Sequence, residues 1–208
     1  VQVQAWVEAL DGGDPRKDVQ VRDRVFMLDA PFTNAPRVLI DLKERFGGVT
    51  WGRGDVAVVS SQWWKTRHET RYLVNPDTPS TPRVIVDRNY QGRYDDPGDM
   101  LTRINAQGRQ VIQFTADGQA VYLCGSGASR DGEFPFLDRF DLATGAKVRL
   151  WQARAPYYEY VIGLLDDGAG RFLTRRESKA EVPNIFLRRR AGGAPRQLTA
   201  FTDPAPQF

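Results

Sequence analysis

Short apolar runs separated by Gly, Pro, Asn and Asp make up the hydrophobic pattern of this chain, and none of them sustains a helical period. In the first half they predict strands over 1–10, 23–28, 37–42, 48–52, 55–61, 67–74 and 83–87. In the second half they predict strands over 110–115, 120–125, 137–142, 147–151, 159–165, 171–175, 184–189 and 195–199. A short turn is expected over 41–45. The segment 89–103, rich in Gly and Asp, is expected to be an ordered loop that packs its aromatics Tyr90 and Tyr94.

The runs group into about four units, 1–43, 48–88, 109–152 and 158–200. Asp117-Gly118 leads into the apolar run 120–124, and Asp167-Gly168 leads into 171–174, a recurrence at about fifty residues. Gly145 and Gly193 recur at a similar interval. Val56, Ala57, Val58 and Val59 are apolar without alternation, as are Ala120, Val121, Tyr122 and Leu123. A strand with one wet face alternates, so these runs call for cover on both faces. Blades stacked side by side supply that cover. The expected fold is all-β: about four antiparallel four-stranded blades of a truncated β-propeller spanning 1–200.

Composition narrows the choice of partners. The chain has 208 residues, 41% hydrophobic and 26% charged, which suits a folded domain. The net charge of +3 comes from cations interleaved with carboxylates, so no basic arm marks a nucleic-acid partner. No run approaches the ~20 apolar residues of a membrane span, and no signal peptide is present. The compartment is left open, the periplasm being compatible with a bacterial parent. The start at Val1 in strand pattern and the Pro-rich end 203–208 read as cut ends of a longer protein. The single cysteine, Cys124, is expected to be a small buried hydrophobe, which rules out a disulfide framework or cysteine zinc site within the chain. No P-loop, dinucleotide fingerprint or EF-hand spacing occurs, so neither cofactor nor metal is expected.

Candidate chemistry is sparse. A Ser-His-Asp triad would have to use His68, the only histidine, which alternation places exposed among charges on an outer strand. Gly125-Ser126-Gly127-Ala128-Ser129 is not a nucleophile elbow, since its central residue is Gly127, and reads as a tight loop. Asp95-Asp96 and Asp166-Asp167 sit beside Pro or Gly and read as turn residues rather than glycosidase carboxylates. The unusual feature is Trp63-Trp64-Lys65-Thr66-Arg67 at a turn. Two readings stand. The cations and indoles form a carboxylate-binding pocket for substrate, or one indole packs between blades while the cations are solvated. Arg175 and Arg176, with Glu177, occupy the equivalent place in the last unit and join Trp63, Trp64, Lys65 and Arg67 as candidate substrate-binding residues.

A family resemblance runs over the whole chain. It is carried by 9–14 (Ala-Leu-Asp-Gly-Gly-Asp), 45–51 (Arg-Phe-Gly-Gly-Val-Thr-Trp), 63–67, Asp87-Arg88, 94–98, 125–128, 135–138, Tyr158-Glu159, Glu177-Ser178 and 203–208. In these segments the chain resembles the β-propeller domain of prolyl oligopeptidase-type serine peptidases, in the glutamyl endopeptidase branch. The resemblance implies that 201–208 begin a linker to an α/β-hydrolase domain carrying Ser, Asp and His, absent from this sequence. It implies a propeller that restricts access to that domain's active site and positions peptide substrates. The alternative is a free-standing interaction scaffold. An incomplete propeller would leave open blade faces, so self-association is expected, as two chains closing a ring of about eight blades.

Overall fold

The computed structural model describes residues 3–78 and 80–205. The first two residues of the predicted strand 1–10 and the tail residues 206–208 lie outside them. Among the described residues the chain is all-β, with strands, turns and bends and no helix. It forms two compact units, Val1–Gly92 and Arg93–Phe208.

In the first unit, β1 (Val3–Ala9), β2 (Asp23–Asp29) and β3 (Arg37–Leu42) form a three-stranded antiparallel meander. It is followed by a four-stranded meander of β4 (Arg45–Trp51), β5 (Ala57–Trp63), β6 (His68–Val74) and β7 (Arg83–Asn89). Val25, Met27, Leu39, Ile40 and Leu42 of the first sheet pack with Ala57, Val59 and Val74 of the second. Val58, on the opposite face of β5 from Val59, is also buried, at 6% exposure. The unbroken apolar run therefore has both faces covered, as its pattern required.

In the second unit, β8 (Asp99–Met100) forms one edge of the first sheet. The chain then leaves as a hairpin of β9 (Thr102–Ile104) and β10 (Gln110–Ile112) before entering β11 (Ala120–Gly125). A small ribbon of β12 (Ala128–Ser129) and β13 (Gly132–Glu133) precedes β14 (Phe136–Asp141) and β15 (Lys147–Gln152). The main sheet runs β15-β14-β11-β8. The last sheet is the meander β16 (Tyr158–Leu164), β17 (Arg171–Glu177), β18 (Asn184–Arg189) and β19 (Arg196–Gln197). Tyr122 and Leu137 pack with Val161, Ala169 and Phe172 across these two sheets. Consecutive up-and-down meanders of this kind are the blade unit of a β-propeller.

Four expectations need correction. The first sheet has three strands rather than four among the described residues. The third unit begins at Asp99 rather than 109, and part of the expected loop 89–103 is strand. The edge strand there is assembled from two pieces. Leu101 N donates to Tyr122 O at 2.8 Å, Gln113 N donates to Leu101 O at 2.9 Å, and Phe114 bridges Val121. A strand of two residues is too short to show alternation, which is why the pattern missed it. The hairpin that interrupts it turns at Asn105, whose Oδ1 accepts from Gln107 N and Arg109 N at 3.0 and 2.9 Å, with Gly108 at φ 72°. Finally, the expected tight loop 125–129 carries the β12–β13 ribbon, and the Ser129 hydroxyl donates to Gly132 O within it.

Candidate functional site

The Trp63–Arg67 segment is the hairpin joining β5 to β6, with Trp63 the last residue of β5, paired with His68. Arg67 takes a left-handed conformation at φ 59°, an uncommon one for a side chain with a Cβ. Its guanidinium helps hold that turn, donating to Trp64 O at 2.6 Å and reaching Tyr90 Oη at 3.4 Å. The two indoles differ. Trp63 is half-buried under the Arg22 guanidinium, 4.2 Å from the ring centroid. Trp64 is 55% exposed. The Lys65 ammonium stands 6.0 Å from the Trp63 centroid and 5.7 Å from that of Trp64, within cation–π range. Among the described residues no carboxylate pairs with it. Trp63 is thus half-buried, while Trp64 and Lys65 face solvent.

Beneath Trp63 lies an ionic network that sequence patterns did not reveal. Asp11, at 1% exposure, accepts from Arg22 Nη1 and Arg45 Nη2, each at 2.6 Å, and from Gly13 N at 2.8 Å. Burial alone would raise its pKa, but the bonds from Arg45, Gly13 N–H and Arg22 outweigh that and hold the carboxyl below the usual range. Arg45 Nη1 also meets Asp23 Oδ1 at 2.6 Å, and Asp23 Oδ2 accepts from Phe46 N at 2.8 Å. Two segments that carry the family resemblance, 9–14 and 45–51, therefore meet at Asp11 and Arg45. The nearest signal in the sequence was the Asp11-Gly12-Gly13-Asp14 turn itself.

His68 does not sit exposed on an outer strand. It lies on β6, an inner strand of the four, and its side chain is 34% exposed. Its Nδ1 is 2.6 Å from Glu44 Oε1 and its Nε2 is 2.7 Å from Asp87 Oδ1. Those carboxylates raise its pKa above 6.5, Asp87 first and Glu44 second, against the opposing effect of burial. Both ring nitrogens face carboxylates, so neither is left to take a proton from a serine.

In the last sheet, Arg175, Arg176 and Glu177 are the final residues of β17, the second strand, as Trp63 is the final residue of β5. Arg175 Nη1 donates to Tyr160 Oη at 3.0 Å. Arg176, 14% exposed, is wedged 4.1 Å from the Tyr157 centroid and 3.9 Å from that of Phe186, and donates to Glu181 at 2.8 Å. Beside it opens a cleft of about 640 Å³ lined by Arg176, Ser178, Asn184, Phe186, Phe201 and Asp203. In a further Arg-carboxylate centre the acid is buried: Glu159, at 2% exposure, accepts from Arg188 at 2.6 and 2.5 Å and from Thr174 Oγ1 at 2.5 Å.

Asp96 and Asp166 have backbone partners in turns. Asp96 accepts from Gly98 N at 2.9 Å. Asp166 accepts from Gly170 N and Arg171 N at 2.8 and 2.9 Å. Burial of Asp166 would raise its pKa, but the N–H groups of Gly170, Arg171 and Gly168 prevail and keep it low. These are turn carboxylates. Cys124 is largely buried, and desolvation pushes its thiol up to about 12, the form of an unreactive structural cysteine.

The chain is 36% identical over 218 aligned positions to a probable glutamyl endopeptidase, chloroplastic, of Oryza sativa subsp. japonica, covering 98% of this chain and 23% of that protein. The chain is similar to a segment of glutamyl endopeptidases. The namesake of Arabidopsis thaliana is 35% identical over 219 positions, again with 98% and 23% covered. This chain thus spans about a quarter of the length of the relatives it matches. No family model matches it. Among solved structures, an oligogalacturonate lyase in complex with manganese overlaps 84% of this chain and 41% of its own at 11% identity, TM-score 0.49. Porphyromonas gingivalis dipeptidyl peptidase 4 overlaps 85% and 29% at 13% identity, TM-score 0.45. TolB from Acinetobacter baumannii overlaps 95% and 52% at 15% identity, TM-score 0.33. At TM-scores under 0.5 these overlaps carry no weight, and the fold stands on the strand pairing.

Proposed function

We propose that this chain supplies blades of the propeller domain of a glutamyl endopeptidase-like serine peptidase, restricting access and positioning peptides for a hydrolase domain elsewhere in the longer protein. The observation behind this reading is the similarity over 98% of the chain to peptidases of which the match covers 23%. The position of His68 agrees with it, since that ring bridges two carboxylates instead of serving a nucleophile.

Within the domain, the reading assigns peptide contact to the Trp63–Arg67 hairpin. Lys65 supplies an ammonium that among the described residues has no carboxylate partner, and Trp64 supplies an exposed apolar wall, the pair of features an acidic side chain needs. Arg67 fixes the turn. Arg175 and Arg176 already have partners in their sheet and act as the frame of the neighbouring cleft.

Kinetics of the longer protein test the reading. Replacing Trp64 and Lys65 together by Ala should raise KM for glutamate-containing peptides severalfold. Hydrolysis of a small single-residue ester, which needs no positioning, should stay unchanged. An equal effect on both substrates, or none on either, would overturn it.

A further inference from the structure

His68 has carboxylates at both ends of its ring, and that geometry dictates its charge. A neutral imidazole has one N–H donor and one lone pair; the imidazolium has two donors. Contacts of 2.6 Å to Glu44 and 2.7 Å to Asp87 are both hydrogen bonds only when the ring is protonated. In the neutral ring one carboxylate faces a lone pair, and that contact is repulsive.

The two carboxylates are not equivalent. Asp87 is 67% exposed and can turn to water. Glu44 is 15% exposed, and among the described residues its buried Oε2 has no hydrogen-bond partner, so His68 is the group there that satisfies its carboxylate. On losing a proton the ring should keep Nδ1–H toward Glu44 and give up Asp87. These are the charged groups facing the ring: Glu44 from the β3–β4 connection and Asp87 from β7. Across β5 the residue in register is the neutral Trp63.

Location gives the switch a consequence. His68 pairs with Trp63 on one side and with Asn89 on the other, at the base of the Trp63–Arg67 hairpin. Beyond the β6–β7 ladder and Arg88 on Glu69, the hairpin end of the outer strand is held by Tyr90 N donating to Arg67 O at 2.7 Å, by Arg67 against Tyr90 Oη, and by Asp87 on His68.

We propose that His68 is a proton-operated latch: closed as an imidazolium bridging Glu44 and Asp87, and opened toward Asp87 on deprotonation, which loosens the outer strand from the Trp63–Arg67 hairpin. The pH window follows from the direction of the shift. A folded-state pKa above 6.5 means that the stabilisation is complete below about pH 6.5 and is lost as pH rises through the raised value. The latch stands on geometry alone. Its bearing on peptide acceptance rests on the function proposed above.

The test is a titration of the ¹⁵N-labelled full chain by long-range ¹H–¹⁵N spectra from about pH 5 to about pH 9. With one histidine in the chain the signals need no assignment. Expected are a pKa above 6.5, the Nδ1–H tautomer at high pH, and a severalfold faster exchange of the Tyr90 amide, after correction for intrinsic rates, across the same transition. Asp87→Asn, at a side chain that is 67% exposed, should lower the pKa and keep the tautomer. A pKa at or below 6.5, the Nε2–H tautomer, or Tyr90 exchange indifferent to the transition would each overturn the latch. No peptide is present in these spectra. The latch can therefore fail while peptide positioning survives, and the reverse.

Discussion

The ends of β5 and β17 occupy the same position in their sheets, the end of the second strand of a four-stranded meander, and each carries cations beside aromatic rings. Their chemistry is opposite. At β17 the cation is enclosed: Arg176 is 14% exposed, stacked against two rings and paired with Glu181. At β5 the packing is done by Arg22 arriving from the β1–β2 connection, which leaves Lys65 and Trp64 facing solvent. Position in a blade fixes where side chains gather. Whether a cation there is enclosed or faces solvent differs with its partners: Arg176 meets Glu181, and among the described residues no carboxylate pairs with Lys65.

Variants at the two ends, with one buried control in the last sheet, sharpen that contrast. The largest effect is expected for Arg188→Met. It strips the buried Glu159 carboxylate of its bidentate partner and should cost about 3–5 kcal/mol in denaturant unfolding. A loss under about 1 kcal/mol would show that Glu159 is neutral or hydrated. Arg176→Ala should cost about 1–2 kcal/mol, because it removes stacking against Tyr157 and Phe186 as well as a charge. Trp64→Ala, at the exposed end, should stay within about 0.5 kcal/mol of the parent chain. Equal losses for Arg176→Ala and Trp64→Ala would erase the difference between the two ends.

Much of the strand order was legible because its signals are local. Gly, Asn and Asp turns and unbroken apolar runs such as 56–59 and 120–123 located the second strand of each middle sheet. The Trp63–Arg67 hairpin was placed correctly for the same reason. What pattern could not show is pairing between distant residues. Asp11 read only as a turn residue, yet its carboxylate joins Arg22 and Arg45. His68 looked exposed because alternation ignores what arrives from another segment, here Glu44 and Asp87. β8 escaped because its strand is two residues long and is completed by residues beyond the β9–β10 excursion.

Amide and indole shift mapping with a short glutamate-containing peptide on the full chain tests the central claim most directly. The account expects saturable shifts at the Trp64 indole N–H and the 64–67 amides, abolished by Lys65→Ala, with the amides of 175–181 unmoved. Shifts centred on the Arg176 cleft, or shifts at the hairpin that survive Lys65→Ala, would contradict it.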